Sequence, residues 1–403
     1  MKILVLNCGS SSCKYQLFSQ EGSQWLVLAK GVVEKIGLHG SFLKHEKENG
    51  SKVLLEGEIL DHTSAIDYIL GVLVSANHGC LTSLEEIDAV GHRVVHGGEE
   101  FNSSVFITPE VISKMEECIE LAPLHNPPNL KGIDAIKQLL PSVPQVGVFD
   151  TAFHQTMPKH AYMYGIPMSL YKKYGIRRYG FHGTSHRFVS RRACEILNVD
   201  YTTQKLIICH LGNGASICAV KNGQSVDTSM GFTPVEGLIM GTRAGDIDMG
   251  AVTFIMDKEM IGTRSASVLF NKQSGLLGIT GVSSDMREII RTAGEGNVDS
   301  QLALEMFFYR VRKYIGSYVA AMGGVDAVVF TGGIGENSFI VRRGICQGLE
   351  FFGIELDDDA NNSIIGEEGI ISKGKTNVMV VPTNEELVIA QDTREIVDAL
   401  VNR

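Results

Sequence analysis

Residues 3–18 read ILVLNCGSSSCKYQLF. An apolar run reaches Asn7, breaks at one glycine and three serines, and resumes after Lys14 as alternating polar and apolar residues. This pattern predicts a buried strand, a tight bend and a second strand. Small residues after a buried strand present several backbone N–H groups to one point, an arrangement that attracts anions. A plain β-hairpin whose serines satisfy the turn explains the same residues, so both interpretations stay open here.

A second stretch, LIICHLGNGASICAVKNG (residues 206–223), repeats this pattern. Its apolar strand ends at His210, a glycine-rich turn follows, and the alternation resumes. A third apolar run, AVVF, leads directly into TGGIGENS (residues 331–338). Two strand–turn–strand units and one strand–Gly-Gly unit indicate a duplicated α/β fold. Together the three turns favour a polyphosphate ligand, and the missing GxGxxG motif disfavours a dinucleotide-binding fold.

Composition narrows the class of protein. The 403 residues carry a formal net charge of −10, which argues against a broad nucleic-acid surface. No apolar run approaches the ~20 residues that cross a bilayer, so we predict no membrane partner. The eight cysteines include no CxxC pair, and several lie inside apolar runs. This usage is typical of buried thiols in a reducing compartment and predicts a cytoplasmic protein.

Two arginines stand in glycine-rich surroundings. Arg93 lies in GHRVVHGGEEF, and Arg243 lies in MGTRAGDID between Gly241 and Gly245. A guanidinium group offers a fork that matches the oxygens of a carboxylate or a phosphate. An isolated arginine is more often a solvated or paired surface group, but the flanking glycines favour a binding role for Arg243.

Two carboxylates are candidates for the same site. Asp150 ends the apolar run VGVFD, where it could act as a base, orient an arginine or cap a helix. In TNEEL, Thr383 and Glu386 have the spacing of a capping box, which leaves Glu385 without a structural duty. Glu385 is therefore a candidate for holding magnesium, partly through water, although a favourable charge at a helix N-terminus is the simpler explanation.

His182 is the most interesting of a group of histidines. The stretch SHRFVSRRACEILN predicts a helix that begins near Ser185, which places His182 before its first turn. A zinc site of His182 with His186 is disfavoured because no HExxH motif occurs. His182 is predicted to donate a hydrogen bond to developing negative charge, and a buried structural histidine remains the alternative.

A series of motifs now supports a family resemblance. In chain order they are NCGSSSCKY, GHRVVHGGE, FDTAFHQTMP, RRYGFHGTSH, HLGNGAS, DTSMGFTPVEGLIMGTRAGDID, GVSSDMR, FTGGIGENS and TNEELVIA. Through them nearly the whole chain resembles the acetate and propionate kinase family. The resemblance implies the sugar kinase/Hsp70/actin fold, an α/β fold of two ribonuclease-H-like lobes (duplicated βββαβαβα) with an interlobe nucleotide cleft. The implied lobes are residues 1–150 with 386–403, and residues 151–385 for nucleotide binding and dimerisation.

The resemblance also implies an activity and a set of site residues. The activity is in-line transfer of the γ-phosphoryl group of ATP to acetate, giving acetyl phosphate and ADP, with Mg²⁺ or alternatively Mn²⁺. The implied metal-site residues are Asn7 and Glu385. The implied catalytic residues are Arg93, Asp150, His182 and Arg243. The implied acyl-site residues are Arg93, Val95, Leu124, Phe181 and Pro234. The implied ATP-binding residues are Lys14, His210, Leu211, Gly212, Asn213, Gly214, Asp285, Met286, Arg287, Gly333, Ile334, Gly335, Glu336 and Asn337.

Several expectations complete this assignment. Family members are homodimers, so we expect a homodimer. Val95 favours acetate over propionate, because a smaller residue there would suit a longer chain. Acetate is already ionised near neutral pH, so we expect Asp150 to orient an arginine rather than to act as a base. Met249 follows GDID, where the family usually has proline. Propionate kinase, a sugar or polyol kinase of this fold, and an actin- or Hsp70-like ATPase are the alternatives.

Overall fold

The computed structural model describes residues 1–401. The chain divides into two compact units, one formed by Met1–Ala152 with the segment that begins at Asn384, the other by Phe153–Thr383. Residues 402 and 403 of the predicted first lobe lie outside the described residues. The functions assigned to the two predicted lobes stay predictions.

The first unit is built on a mixed sheet in the order β5-β4-β3-β2-β1-β6-β8-β7. Its strands are β1 (Lys2–Cys8), β2 (Ser12–Glu21), β3 (Gln24–Glu34), β4 (Phe42–Lys47), β5 (Lys52–Glu56), β6 (Ala89–Val94), β7 (Val105–Phe106) and β8 (Gln145–Phe149). Strands β1 to β5 pair antiparallel in sequence, whereas β1, β6 and β8 run parallel. Its first helices are α1 (His62–Leu73), α2 (Pro109–Glu117) and α3 (Asn126–Leu139).

The second unit repeats this arrangement. Its strands are β9 (Lys205–Leu211), β10 (Ala215–Lys221), β11 (Gln224–Thr228), β12 (Ala327–Thr331), β13 (Gly369–Ile370) and β14 (Asn377–Val380). They lie in the order β11-β10-β9-β12-β14-β13, with β9, β10 and β11 antiparallel and β9, β12 and β14 parallel. In each unit, consecutive antiparallel strands lie on one side of the first strand, four pairs in the first unit and two in the second. On the other side lie two parallel strands and a short antiparallel edge strand. The predicted duplicated α/β fold is confirmed.

The remaining helices belong to the second unit, except the last, which belongs to the first. They are α4 (Lys159–Tyr162), α5 (Met168–Tyr174), α6 (Gly183–Leu197), α7 (Met249–Lys258), α8 (Thr263–Lys272), α9 (Gly275–Thr280), α10 (Met286–Gly294), α11 (Val298–Met322), α12 (Gly332–Asn337), α13 (Phe339–Cys346), α14 (Asp358–Ser363) and, in the first unit, α15 (Glu385–Val401). Over residues 1–401, no helix has the length and apolar character needed to span a bilayer.

The apolar run of β1 divides its side chains between two cores. Leu4 and Leu6 pack with residues of α1 and α3, and Ile3 and Val5 pack with residues of α15 such as Ile389. This division follows from the strand's period of two, because successive side chains point to opposite faces. Because β1 is buried on both faces, the run of residues 3–6 is apolar throughout, and Asn7 is held at a defined position at its end.

Residues 369–376 read GIISKGKT and match the spacing GxxxxGK[ST] of a phosphate-binding P-loop. They lie in β13 and in the connection that leads into β14, two strands that pair antiparallel. A P-loop instead joins a strand to the N-terminus of a helix. The match is therefore a spacing coincidence within a hairpin.

Candidate active site

Arg93 and Asp150 form a two-pronged ion pair in the first unit. Arg93 lies on β6 and Asp150 directly follows β8, and these parallel strands bring the two residues together. Arg93 Nη2 donates to Asp150 Oδ2 at 2.7 Å, and Arg93 Nε donates to Oδ1 at 3.1 Å. Asp150 is 1% exposed, so water competes little for this carboxylate. The guanidinium plane is thereby held in one orientation.

Glu385, at the start of α15, adds a second carboxylate. Its Oε2 lies 4.0 Å from Arg93 Nε. Burial raises the pKa of the Glu385 carboxyl to about 7, with a further contribution from Asp150 and Glu386, although Arg93 and Lys14 oppose the shift. Burial disfavours the charge on Arg93, but Asp150 and Glu385 still raise its pKa above the ordinary value. This cluster holds more negative than positive charge close to Arg93.

This excess of negatively charged oxygen atoms is suited to binding a divalent cation. Hard cations prefer carboxylate and amide oxygens, and magnesium keeps several waters among its ligands. Glu385 offers a carboxylate that lies close to Asp150 and Glu386, and Asn7, near the end of β1, offers an amide oxygen. Within residues 1–401, no group of three or more His, Cys, Asp or Glu side chains could hold a metal. One carboxylate and one amide oxygen are a ligand set that magnesium accepts when water fills its remaining positions.

The N-terminal bend is a hairpin. Asn7 pairs with Lys14 across β1 and β2, and Gly9 N donates to Ser12 O at 2.8 Å to close the turn. Ser10 and Ser11 are exposed at its tip. Asn7 and Lys14, the predicted metal-site and phosphate-contact residues, are therefore direct cross-strand neighbours.

The predicted capping box of α15 is wrong. The Asn384 side chain accepts from Leu387 N at 3.1 Å and caps the helix. The Thr383 hydroxyl donates instead to Ser185 Oγ at 2.8 Å. Asn is as good a cap as Thr, and tertiary contacts selected between the two neighbours. Glu386 therefore has no capping duty either, and it lies close enough to raise the pKa of Glu385.

The second unit gathers His182, His210 and Arg243 around its hairpin. His210 lies on β9, and the turn that follows is closed by Gly212 N donating to Gly214 O at 3.1 Å. A Cβ added at Gly214 would lie 3.3 Å from Arg243 Nη1 and 3.6 Å from His182 Nε2. These atoms therefore converge on the backbone of the glycine-rich turn, which leaves no room for larger side chains.

Arg243 differs sharply from Arg93. Within residues 1–401 it has no carboxylate partner, and Arg243 Nη1 contacts the sulfur of Met240 at 3.7 Å. Burial lowers the pKa of the Arg243 guanidinium, with no neighbouring charge to offset the shift. Arg243 is half-buried, and a partly desolvated guanidinium without an anion beside it is unfavourable, so the arrangement favours an anionic ligand.

His182 has a strained backbone and an ordered ring. As predicted, it precedes the helix α6: it is the N-cap residue, with φ 56° and ψ 23°. A non-glycine residue in the left-handed region is uncommon and persists where tertiary contacts over-determine it. The rings of His182 and His210 stack with centroids 4.3 Å apart. Ser216 Oγ lies 2.8 Å from both His182 Nδ1 and His186 Nε2, and burial keeps the pKa of His186 well below its ordinary value.

The other predicted nucleotide-binding segments are placed in the second unit. Asp285 is the N-cap of α10 and pairs with the exposed Arg287 at 2.6 Å, while Met286 is buried. Gly333 to Asn337 lie in α12, where Glu336 Oε1 accepts from Gly332 N at 2.8 Å. Asp285 and Glu336 therefore have structural partners. Leu211 is buried at the end of β9, and Asn213 O accepts from Gly241 N.

The predicted acyl-site residues are divided between the units. Val95 is half-buried and Leu124 is 61% exposed in the first unit, whereas Phe181 is buried and Pro234 half-buried in the second. Met249 is the first residue of α7 and is 73% exposed, with Asp248 as the cap. Proline is favourable at that first position, so methionine there alters the start of a helix and not a catalytic group.

Sequence reasoning missed Ser216 and the hydrogen-bonding role of Ser185. Ser216 stands opposite His210 in the β9–β10 register, and Ser185 Oγ lies 2.8 Å from His210 Nδ1. A signal existed for Ser216, because hairpin pairing places its side chain beside the residue that ends the preceding strand. Ser185 offered no comparable signal, since its partner comes from a different element.

Two ribonuclease-H-like α/β units, each with its hairpin and charged residues, define the sugar kinase/Hsp70/actin-like class of folds. The family model described as the acetokinase family matches residues 2–391. The chain belongs to the acetokinase family, and the predicted resemblance is confirmed.

Individual relatives agree. Acetate kinase from Azobacteroides pseudotrichonymphae is 63% identical over 395 residues, which cover 98% of this chain and 99% of that protein. The crystal structure of acetate kinase from Porphyromonas gingivalis is similar with a TM-score of 0.94 and 57% identity, covering 98% of this chain and 99% of the other. A propionate kinase from Francisella tularensis has a TM-score of 0.91 and 44% identity over the same shares of the two chains.

Proposed function

We propose that this chain transfers the γ-phosphoryl group of ATP reversibly to acetate, giving acetyl phosphate and ADP. The prediction of an acetate kinase, a phosphotransferase with a carboxylate acceptor, is confirmed by full-length relatives of that name. The roles of individual residues, the metal and the assembly are our proposals.

The ion pair of Arg93 with the buried Asp150 supports the proposal most directly. Acetate needs no base at neutral pH because it is already ionised. The obstacle is repulsion between two anions, which positioned cations reduce. Arg93 would bind the acetate carboxylate, and Asp150 would keep the guanidinium plane in the binding orientation.

The second unit is proposed to bind ATP and to stabilise the phosphoryl group during its transfer. Arg243 is half-buried and has no carboxylate partner among the described residues, and His182 Nε2 lies on the same side of the Gly214 backbone. We assign both to the transferring phosphoryl group, whose charge they stabilise during transfer. His210 to Gly214, Asp285 to Arg287 and Gly333 to Asn337 would hold ATP, with Lys14 contacting its phosphates.

Magnesium would be held by Asn7 and Glu385, with manganese as the alternative metal. When bound, the ion neutralises phosphate charge. Glu385 would have to be ionised to bind it, which the metal's own charge favours.

Acetate is proposed as the preferred acid because Val95 leaves less room than a smaller residue would. One methylene discriminates by only ~1–3 kcal/mol, so some propionate turnover is expected. A homodimer and a cytoplasmic location also remain proposals. The latter is supported by eight free cysteines, seven of them buried.

The test is a set of initial rates with saturating Mg-ATP and acetate, propionate or butyrate, with acyl phosphate trapped as hydroxamate. We expect the highest kcat/KM with acetate, less with propionate and little with butyrate. Glycerol and glucose are the controls for a sugar or polyol kinase. Phosphorylation of either without acyl phosphate formation would contradict the proposal, as would ATP hydrolysis that carboxylates do not affect.

A further inference from the structure

A buried serine hydroxyl joins two histidines in the second unit. Ser216 Oγ lies 2.8 Å from His182 Nδ1 and 2.8 Å from His186 Nε2, and both Ser216 and His186 are fully buried. A hydroxyl carries one proton and can donate to only one of these nitrogens. The direction of the two hydrogen bonds therefore depends on where the His186 proton lies.

His186 decides that direction. Its Nδ1 atom is buried and has no hydrogen-bond partner among the described residues. A proton on Nδ1 would leave a buried N–H donor without an acceptor, which is rare in folded proteins. A proton on Nε2 is satisfied by Ser216. His186 Nε2–H therefore donates to Ser216 Oγ, and the serine proton is left to donate to His182 Nδ1.

We propose that Ser216, backed by His186, is a positioning residue that holds His182 as the Nε2–H tautomer. Because Nδ1 accepts from Ser216, the proton of the neutral ring is placed on Nε2, on the side of Gly214 and Arg243. An Nε2 atom without a proton would offer a lone pair to phosphoryl oxygens and repel them. The role rests on the proposed function, since it requires His182 to face the transferring group.

A parallel arrangement orders the neighbouring ring. The Thr383 hydroxyl donates to Ser185 Oγ, and Ser185 Oγ lies 2.8 Å from His210 Nδ1. The Ser185 proton is therefore available to His210 Nδ1, and His210 is also held as the Nε2–H tautomer. The stacked rings of His182 and His210 are therefore each oriented by a separate set of hydrogen-bonded side chains.

His154 provides a matched control within the same unit. Ser225 Oγ lies 2.8 Å from His154 Nδ1, and His154 Nε2 lies 2.9 Å from the carbonyl of Phe181, which can only accept. Ser225 is therefore as buried as Ser216 and bonds a histidine in the same way. The Nε2–H of His154, however, is used by a backbone carbonyl and serves no ligand.

The tautomer is measured by two-bond ¹H–¹⁵N correlation spectra of the full chain with ¹⁵N-labelled histidine, assigned with His182→Asn. We expect a single Nε2–H form of His182 at neutral pH, and a mixture with the Nδ1–H form in Ser216→Ala. An Nδ1–H form in the wild-type protein would overturn the proposal, and so would an unchanged His182 tautomer in the variant. This readout needs no catalytic activity.

Kinetics give the second readout. We expect Ser216→Ala to lower kcat by about 10–100-fold, with KM for ATP and acetate changed by less than about two-fold. Ser216→Thr retains the hydroxyl and should restore most of kcat, while Ser225→Ala should stay within about two-fold of wild type. Equal losses in Ser216→Ala and Ser225→Ala would reduce the effect to packing and overturn the proposal. If the wild-type protein forms no acyl phosphate, the proposed function fails, while the spectra still decide the tautomer.

Discussion

The two units share one architecture and differ in the charge around their arginines. In the first, Arg93 is matched by the carboxylates of Asp150 and Glu385, and the pKa of Glu385 is raised to about 7. In the second, Arg243 has only a sulfur contact within the described residues, beside histidine rings. Negative charge is in excess around Arg93, and positive charge is in excess around Arg243.

The difference shows how a duplicated fold acquires two chemistries. In each unit a buried strand ends in a polar residue and turns through a hairpin of small residues. The sheet and the hairpin determine the position of the site in each unit. The charge at that position is determined by side chains that come from other elements. Glu385 comes from α15, and Arg243 comes from the loop before α7. A repeat of fold therefore does not imply a repeat of function.

Arg243→Ala should have the largest effect. We expect kcat to fall by about 10³–10⁵-fold, because the charge that stabilises the phosphoryl group is lost. Stability should be unchanged or higher, since the variant no longer holds a half-buried guanidinium without a counterion. Steady-state kinetics and calorimetry are the measurements, with the exposed Arg264→Ala as the control. A kcat/KM within tenfold of wild type would break the assigned role.

Arg93→Ala, unlike Arg243→Ala, should lower the stability of the protein. Removing the guanidinium leaves the buried Asp150 and the half-buried Glu385 without this counterion, which should cost about 3–5 kcal/mol in the free energy of unfolding. The loss should be larger at pH 8 than at pH 6, because the Glu385 carboxyl, whose pKa is raised to about 7, can take up a proton at the lower pH. Adding Asp150→Ala should recover stability without recovering activity. If Arg93→Ala and Arg243→Ala shift stability alike, the contrast between the units is wrong.

Buried histidines should make both units acid-sensitive. Burial lowers the pKa of His92 in the first unit and of His154 in the second to about 4. An unfolded histidine titrates near 6.5, so each contribution is complete above that pH and is lost as pH falls through about 4. The loss amounts to at most about 3 kcal/mol for each group. Denaturation at pH 7.5 and pH 5 should show a smaller difference in His92→Gln than in the exposed control His39→Gln; equal differences would contradict this.

Asp150→Asn tests the orienting role. The amide keeps one acceptor for Arg93 but loses the charge, so we expect kcat to fall by about 10–100-fold through misplacement of the guanidinium. The pH profile of kcat under chemistry-limited conditions should keep its shape. A carboxyl titration in the wild-type profile that disappears in the variant would instead assign proton transfer to Asp150.

Val95→Ala should have the smallest effect. The added space should raise the ratio of kcat/KM for propionate to that for acetate by about tenfold. This would place the selection of the acid in the first unit. Val298→Ala, at an exposed position of α11, is the control. An unchanged ratio would remove Val95 from substrate selection.

Much of the fold was predictable because it depends on local periodicity. Alternation on both sides of a bend of small residues specified both hairpins. The helix near His182 was placed within two residues for the same reason. The cap of α15 was wrong because two adjacent residues had nearly equal capping propensity. A motif can also match by chance. GIISKGKT has the spacing of a P-loop but lies in a β-hairpin and not between a strand and a helix.

The site was predictable as a set of residues and not as an arrangement. Arg93 and Asp150 are far apart in sequence, and only the parallel pairing of β6 with β8 brings them together. The charge balance around Glu385 depends on the burial of α15 against the sheet, which periodicity does not report. Ser216 is an ordinary serine in an alternating strand, and its importance appears only through the two nitrogens it joins.

Helix α15 has a consequence for how the chain is made. The ribosome releases residues 153–383 as one continuous segment, so the second unit can complete itself during synthesis. Ile3 and Val5 are translated before the second unit, and one side of their core stays open until Ile389 and Ala390 have been synthesised. The first unit therefore keeps this apolar surface exposed until α15 is synthesised. Glu385 is the first residue of that helix, so the same segment completes both the core and the cluster of charges around Arg93.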